Sequence, residues 1–222
     1  PSEAGGEALE RKFKARYPYY GVTKKGGGES LTICSKFPIL SKDTMDIYST
    51  GNMSVAYVLD INGDKTLVIN NHLETVGLSF EEKDDFEKMV NREMAEYEAK
   101  AASRSLIRKL TEANKRRAPQ ADVIAQVIDE YRAKGYSVIV FGDFNDTPLS
   151  YTFRTIGKGL TDAFSSSGRG FGYTYQKNGM NVRIDHILCS DDWTPYGAQV
   201  NKEIYNSDHF PVICWLKKQA KQ

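Results

Sequence analysis

A long helical region separates two groups of strand-like segments, and this order limits the fold more than any other feature of the sequence. The helical region is predicted to begin at Ser79, which has capping-box spacing to Glu82, and to run with breaks to about Ala118. Pro119 is predicted to interrupt it before a second amphipathic stretch that ends near Gly135. Strands on both sides of such a region indicate a layered α/β fold with a mixed sheet.

The predicted strands are short apolar runs bounded by polar residues. Those before and directly after the helical region lie at residues 31–34, 55–61, 66–70 and 138–141. Asn62 and Gly63 join the second strand to the third, and Asn-Gly is the strongest short hairpin signal. The run at 138–141 is apolar throughout, as expected for a strand buried on both faces.

A second Asn-Gly pair, Asn178 and Gly179, predicts another hairpin near the carboxyl end. It joins a strand at residues 173–176 to one at residues 182–188. Three glycines within residues 168–172 precede this hairpin. They are followed by a strand rather than a helix, so the glycine fingerprint of dinucleotide-binding proteins does not apply.

Length and charge narrow the class of protein. With 222 residues, of which 40% are hydrophobic, the chain is predicted to form a single domain, with residues 1–30 as a loop-rich segment. The formal net charge of +1 provides no overall field for a polyanion. Cys34, Cys189 and Cys214 are odd in number and lie in apolar runs, which indicates small buried side chains rather than disulfides or a zinc site.

A basic cluster lies within the helical region and has two interpretations. It consists of Arg104, Arg108, Lys109, Lys115, Arg116 and Arg117. The first interpretation is a solvated helix face, and the second is a contact surface for phosphate or nucleic acid.

Residues suited to catalysis lie where predicted strands end. His72 follows the strand at 66–70, and ligands of α/β sheets gather at the carboxyl ends of strands. Asp143 and Asn145 follow the strand at 138–141 and are two residues apart, which places their side chains on one side of an extended segment. Their oxygens are suited to bind a metal ion or to fix an attacking water molecule. An imidazole at His72 could stabilise charge that grows on a phosphoryl oxygen.

Two further segments supply an acid and a histidine. Asp185 lies inside a strand-like run, where an unpaired carboxylate is costly. His209, preceded by Asp208 and followed by an apolar strand, would provide the missing partner. A histidine oriented by a carboxylate beside metal-binding oxygens is suited to the hydrolysis of phosphate esters.

The four segments occur in the order NHLE, VIVFGDFNDTP, RIDHI and SDHFPV. Together they closely resemble the endonuclease/exonuclease/phosphatase family of deoxyribonuclease-I-like phosphoesterases, over about residues 31–216. The intervening stretches resemble the uncharacterised bacterial branch of that family. The resemblance implies a four-layer α/β sandwich, in which two packed mixed β-sheets are flanked by helices.

The resemblance also implies a role for each of five residues. His72 would contact the scissile phosphate, Asp143 and Asn145 would bind metal and position the attacking water, and Asp185 would orient His209. The family uses Mg²⁺ and sometimes Mn²⁺. The metal ligands implied in this chain are Asp143, Asn145, Asp208 and His209.

One departure from the family concerns the beginning of the fold. The family's first strand brings a catalytic Asn and its second strand ends in a Glu that binds Mg²⁺, and residues 1–222 contain neither motif. The chain is therefore expected to be the carboxyl-terminal majority of the domain, to lack an N-terminal segment of the parent chain, and to bind Mg²⁺ poorly on its own.

The sequence is compatible with several substrates and with more than one location in the cell. A nucleic acid, a phospholipid headgroup and a small phosphodiester all fit the implied chemistry. The cytoplasm and a membrane reached through an upstream anchor are both compatible with the sequence, and the unpaired cysteines favour a reducing compartment. The alternative to an enzyme is a noncatalytic binding or scaffold module that retains the fold.

Overall fold

The computed structural model of the chain describes residues 13–25, 29–49 and 51–219. The strands are β1 (Tyr19–Lys24), β2 (Ser30–Ser35), β3 (Ile39–Thr44), β4 (Met53–Ile61), β5 (Asp64–His72), β6 (Ser137–Asp143), β7 (Thr161–Asp162), β8 (Tyr175–Lys177), β9 (Met180–Val182), β10 (Asp185–Cys189), β11 (Trp193–Val200) and β12 (Val212–Lys218). The helices are α1 (Phe80–Val90), α2 (Glu96–Ala133), α3 (Tyr151–Ile156) and α4 (Ala163–Ser167). The fold is mixed α/β, as expected.

A six-stranded mixed sheet forms the centre of the described structure, in the order β3-β4-β5-β6-β10-β7. Strands β5 and β6 are parallel, and every other neighbouring pair is antiparallel. The predicted hairpin between β4 and β5 is present, and both Asn62 (φ 56°) and Gly63 (φ 91°) have the positive φ that a tight hairpin turn requires. The parallel pair brings His72 directly opposite Asp143.

The two faces of this sheet bury separate apolar clusters. On one face, Ile69 of β5 and Val140 of β6 pack with Ile124 and Ile128 of α2. On the other face, Ile33 of β2 packs on β4 and β5. Helices and strands thus cover opposite sides of the sheet, which is the layered arrangement that the sequence predicts.

The remaining strands form, within the described ranges, separate two-stranded antiparallel pairs. Strand β1 pairs with β2, and β11 pairs with β12. The loop-rich segment predicted for residues 1–30 lies partly outside the described residues. Its described part contains β1, which pairs along its whole length with β2.

The helical region departs from the prediction at Pro119. The capping box is present, since Ser79 Oγ accepts from the Glu82 amide and the Glu82 carboxylate accepts from the Ser79 amide. Helix α2, however, is 38 residues long in total and continues through Pro119 without a break. An interior proline costs about 3 kcal/mol. Buried side chains on both sides, among them Arg117 and Gln120, bind the loops after β5 and β6 and offset this cost.

The second predicted hairpin is shorter than expected. Asn178 and Gly179 join β8 to β9, but the strand predicted at residues 182–188 is divided in two, and its second half, β10, pairs with β6 in the main sheet. The chain is redirected at Arg183, which leaves the strand to bind Asp162, while Thr174 Oγ1 accepts from the Ile184 and Asp185 amides. Among the described residues, no helix is long and apolar enough to cross a membrane.

Candidate active site

The predicted catalytic residues meet at the carboxyl ends of β5 and β6. Gly142 allows the two strands to approach closely, because a Cβ atom at this position would lie 2.1 Å from the Asn71 carbonyl oxygen. Gly142 also has a φ of 123°, which other residues rarely adopt. His72 and Asp143 therefore extend to the same side, with His72 Nε2 3.8 Å from Asp143 Oδ2.

Asn145 is held beside Asp143 by three hydrogen bonds. Its amide donates to Asp143 Oδ1 at 2.7 Å, and its Nδ2 donates to Asp143 Oδ2 at 3.2 Å and to the Leu73 carbonyl oxygen at 2.9 Å. Asn145 has a φ of 50°, a conformation that asparagine tolerates better than most residues. The loop after β6 thus fixes both predicted side chains in one place.

Asp185 and His209 form a hydrogen-bonded pair next to Asp143. His209 Nδ1 lies 2.8 Å from Asp185 Oδ2, and His209 Nε2 lies 4.0 Å from Asp143 Oδ2. Burial of the ring lowers the pKa of His209, but the hydrogen bond to Asp185 and the charges of Asp185 and Asp143 outweigh it and raise the pKa above its usual value. The arrangement favours a protonated imidazole.

Asp143 is the most perturbed carboxyl group of this site. Burial raises its pKa to about 6, and the negative charge of Asp185 acts in the same direction. His209 and His72 lower it, but by less than burial raises it. Asp143 therefore titrates close to neutral pH, where a general base is most effective.

Glu29 is a residue of this site that the sequence did not reveal. Its Oε2 lies 3.2 Å from His72 Nδ1, on the side of the ring opposite Asp143. Glu29 precedes β2 and belongs to no recognisable motif. Its proximity depends on the packing of β2 over β5, where Asn70 Nδ2 donates to the Thr32 carbonyl oxygen.

Three side chains of the site could share a metal ion. Ligand atoms of Asp143, Asp185 and His209 all lie within 4.8 Å of one another. The two carboxylates repel each other, and a divalent cation would relieve that repulsion, so the donor set fits a divalent metal ion. Asp143 and His209 were predicted as ligands, whereas Asp185 was not. The predicted ligand Asn145 adjoins this group of three through its hydrogen bonds to Asp143. The predicted ligand Asp208 is exposed and accepts from Ser207 Oγ, outside the group.

The third histidine has a structural environment. His186 is 1% exposed and packs edge-on against the rings of Phe144 and Phe153. Its Nε2 lies 2.9 Å from the Asp146 carbonyl oxygen, and burial lowers its pKa to about 4. A neutral His186 that donates to this oxygen holds the loop after β6.

Most of the basic cluster is engaged within the chain. Lys109, Lys115, Arg116 and Arg117 form ion pairs with Glu82, Glu112, Glu74 and Asp146, respectively. Arg117 is 1% exposed, and its Nη1 also donates to the Glu74 carbonyl oxygen at 2.8 Å. Arg117 thereby joins the loop after β5 to the loop after β6. Arg117 thus has an internal role, whereas the side chains of Lys115 and Arg116 remain mostly exposed.

The sequence and the fold both match known proteins. Residues 2–209 match the family described as the Endonuclease/Exonuclease/phosphatase family. A comparison with curated proteins finds no match.

Three solved structures illustrate the likeness in fold. A mannosyl-6-phosphatase of Bacteroides thetaiotaomicron is 17% identical, with 93% of this chain and 80% of that chain covered and a TM-score of 0.61. D. rerio TDP2 complexed with a single-strand DNA product is 15% identical, with 97% and 82% covered and a TM-score of 0.67. The human nocturnin catalytic domain with a bound sulfate anion is 15% identical, with 98% and 77% covered and a TM-score of 0.63.

Proposed function

The chain belongs to the endonuclease/exonuclease/phosphatase family, and from this membership we propose that it hydrolyses phosphoester bonds with the help of a divalent metal ion, Mg²⁺ or Mn²⁺. Asp143, Asn145, Asp185, His72 and His209 are the proposed catalytic residues. One observation carries the proposal. The Asp185–His209 pair, with a separation of 2.8 Å, faces Asp143, whose pKa is raised to about 6.

Asp143 and Asn145 are proposed to act on the attacking water. The deprotonated carboxylate of Asp143 accepts a proton from that water, and Asn145 keeps the carboxylate in place through its two hydrogen bonds to it. The water oxygen forms a new bond to phosphorus as the ester P–O bond breaks. The leaving oxygen keeps the electron pair of the broken bond and takes a proton from solvent.

The two histidines are proposed to act on the phosphoryl group. Asp185 binds Nδ1 of His209, which leaves Nε2 as the donor to a phosphoryl oxygen, where negative charge grows in the transition state. Glu29 orients His72 in the same way through Nδ1. When bound, a divalent cation supplies further positive charge that stabilises the phosphoryl oxygens.

The test is hydrolysis of bis(p-nitrophenyl) phosphate by the full-length protein with Mg²⁺, with Mn²⁺ and with EDTA. The full-length protein is used because the sequence predicts an incomplete ligand set in residues 1–222. We expect turnover with either metal ion and its loss in EDTA. His209→Gln should lower the rate by about 10²- to 10⁴-fold, since it removes a donor to the transition state.

Asp208→Asn is the matched comparison, because Asp208 adjoins His209 in the chain but lies outside the group of three clustered ligands. A rate that falls in Asp208→Asn would indicate a metal ligand set that includes Asp208. An unchanged rate would indicate a set without it. Turnover that persists in EDTA, or a His209→Gln variant within about threefold of the wild-type rate, would contradict the proposed mechanism. Correctly folded full-length protein with no turnover at all would favour the noncatalytic alternative.

A further inference from the structure

A cavity of about 800 Å³ lies at the edge of β8, and none of its lining residues takes part in the proposed mechanism. The loop of residues 168–173 forms one wall, and residues 197–202 form the other. Gln176 of β8 lies at its edge. The cavity is large enough for one nucleotide-sized group.

Glycines fix the shape of the first wall. Gly170 and Gly172 have φ values of 75° and 65°. A Cβ atom on Gly172 would lie 2.4 Å from the ring of Phe164, which is itself buried. The loop is thus packed tightly against α4 in a conformation that favours glycine, and it presents the next side chains in a defined orientation.

The loop presents an aromatic surface to the cavity. The rings of Phe171 and Tyr173 are stacked, with centroids 5.3 Å apart and planes inclined by 4°. Phe171 is 78% exposed although it is a large apolar side chain. One face of its ring is covered by Tyr173, so the other face is free to stack with a planar group.

The charged residues of the cavity lining are both basic. Arg169 and Lys202 line it, and no aspartate or glutamate is among the lining residues. Lys202 Nζ donates to Gln176 Oε1 at 2.5 Å, and Gln176 Nε2 donates to Asn181 Oδ1 at 2.7 Å. An aromatic platform with cations beside it matches the base and the phosphate of a nucleotide.

Backbone contacts connect the cavity walls to the catalytic histidine. Tyr175, next to Gln176, forms a β-bridge with His209, and their ring centroids are 5.3 Å apart. The Phe210 amide donates to the Thr174 carbonyl oxygen, and the Asn201 amide donates to that of Pro211. Successive side chains of a strand point to opposite faces, so Gln176 and the cavity lie across β8 from the His209 contact of Tyr175.

We propose that this cavity binds a nucleobase of the substrate by stacking on Phe171, with Arg169 and Lys202 binding a phosphate of the same strand. The proposal rests on the proposed function, which it refines by naming a nucleotide or single-stranded nucleic acid as the substrate class. Stacking accepts any base, so the cavity selects for a base rather than for a sequence.

The test measures binding in EDTA, where no turnover is needed. The probes are two fluorescein-labelled oligonucleotides of equal length, one of thymidines and one of abasic tetrahydrofuran units, and binding is followed by fluorescence anisotropy. We expect the thymidine probe to bind more tightly. Phe171→Leu should weaken binding of that probe by about 5- to 150-fold, the loss expected for one base stack, and should leave the abasic probe unchanged.

Two variants complete the design. Tyr97→Leu removes an exposed aromatic ring from α2, outside the cavity lining, and should change neither affinity. Arg169→Gln should weaken both probes and reduce the dependence of binding on salt, because it removes a phosphate contact. Adenosine monophosphate should displace the thymidine probe at lower concentration than ribose 5-phosphate does.

Three results would overturn the proposal: equal affinity for the two probes, an unchanged affinity in Phe171→Leu, or equal competition by ribose 5-phosphate, which would indicate a sugar phosphate site. These results are separable from the fate of the proposed function. Base-dependent binding without any hydrolysis would leave the cavity proposal standing and contradict the catalytic one. Hydrolysis without base-dependent binding would contradict the cavity proposal and leave the catalytic one standing.

Discussion

Arg117→Met should destabilise the protein strongly, because Arg117 is a buried cation with three hydrogen-bond partners. Its Nε donates to Asp146 Oδ2 at 3.1 Å, its Nη1 to the Glu74 carbonyl oxygen at 2.8 Å and its Nη2 to Asn114 Oδ1 at 2.5 Å. The side chains of Arg117 and Asp146 are only 1% and 12% exposed. Methionine fills much of the same space but leaves Asp146 as a buried charge without its partner.

Removal of one partner from a buried ion pair costs about 3–5 kcal/mol. For a domain of this size, each kcal/mol lowers the melting temperature by about 2–4 °C, so the expected decrease is about 6–20 °C. Differential scanning calorimetry measures it, and denaturation by urea gives the free energy of unfolding independently.

Arg116→Met is the matched control, since Arg116 is the adjacent residue and pairs with Glu74 at 3.4 Å with its own side chain 62% exposed. Exposed pairs contribute about 0–1 kcal/mol, so this variant should melt within about 4 °C of the wild type. Adding Asp146→Asn to Arg117→Met should cost less than the two single changes together, because it removes the unpaired charge. A decrease below about 2 °C for Arg117→Met, or one equal to that of Arg116→Met, would refute this reasoning.

Three further predictions concern the site. Asp185→Asn should lower the pKa of His209, since it removes the charge and weakens the hydrogen bond that raise it; NMR titration of the ring protons measures this, and an unchanged pKa would contradict the pairing. The raised pKa of Asp143 destabilises the fold increasingly as pH rises from about 4 to 6. In urea denaturation over that range, the metal-free wild type should lose up to about 3 kcal/mol of unfolding free energy relative to Asp143→Asn. Parallel curves of unfolding free energy against pH would argue against this. Glu29→Gln should lower turnover but not the melting temperature, because it replaces the charged acceptor of His72 Nδ1 by a weaker, neutral one at a partly exposed position; equal rates would remove the positioning role.

The parts of the fold that were predictable depend on local chemistry. Asn62 and Gly63 specify a tight hairpin because both adopt positive φ readily, and Ser79 with Glu82 specifies the start of a helix by satisfying free amides. The site residues could be located for a related reason. Asp143 is a polar residue at the end of an apolar strand, where function is a common explanation for its position.

The parts that were not predictable depend on tertiary contacts. Proline ends many helices because of its local preference. Here α2 continues through Pro119, and Arg117 and Gln120 anchor the helix on either side of it. The division of the strand at 182–188 is caused by the ion pair of Arg183 with Asp162, which lies far away in the sequence. No sequence pattern indicates such a partner.

Glu29 illustrates the same limit within the site. It is brought to His72 by the packing of one layer on another, across 43 positions of the chain. Asp143, Asp185 and His209 were recognisable from their segments, but the separations between their ligand atoms could only come from the structure.

Hydrolysis in ¹⁸O-labelled water by the full-length protein tests most directly whether this site directs the attack of water on phosphorus. With bis(p-nitrophenyl) phosphate and Mg²⁺, the account predicts one ¹⁸O atom in the phosphate product, none in p-nitrophenol, and a rate lower by about 10²- to 10⁴-fold in Asp143→Asn. Label in the p-nitrophenol, or a wild-type rate in Asp143→Asn, would contradict it.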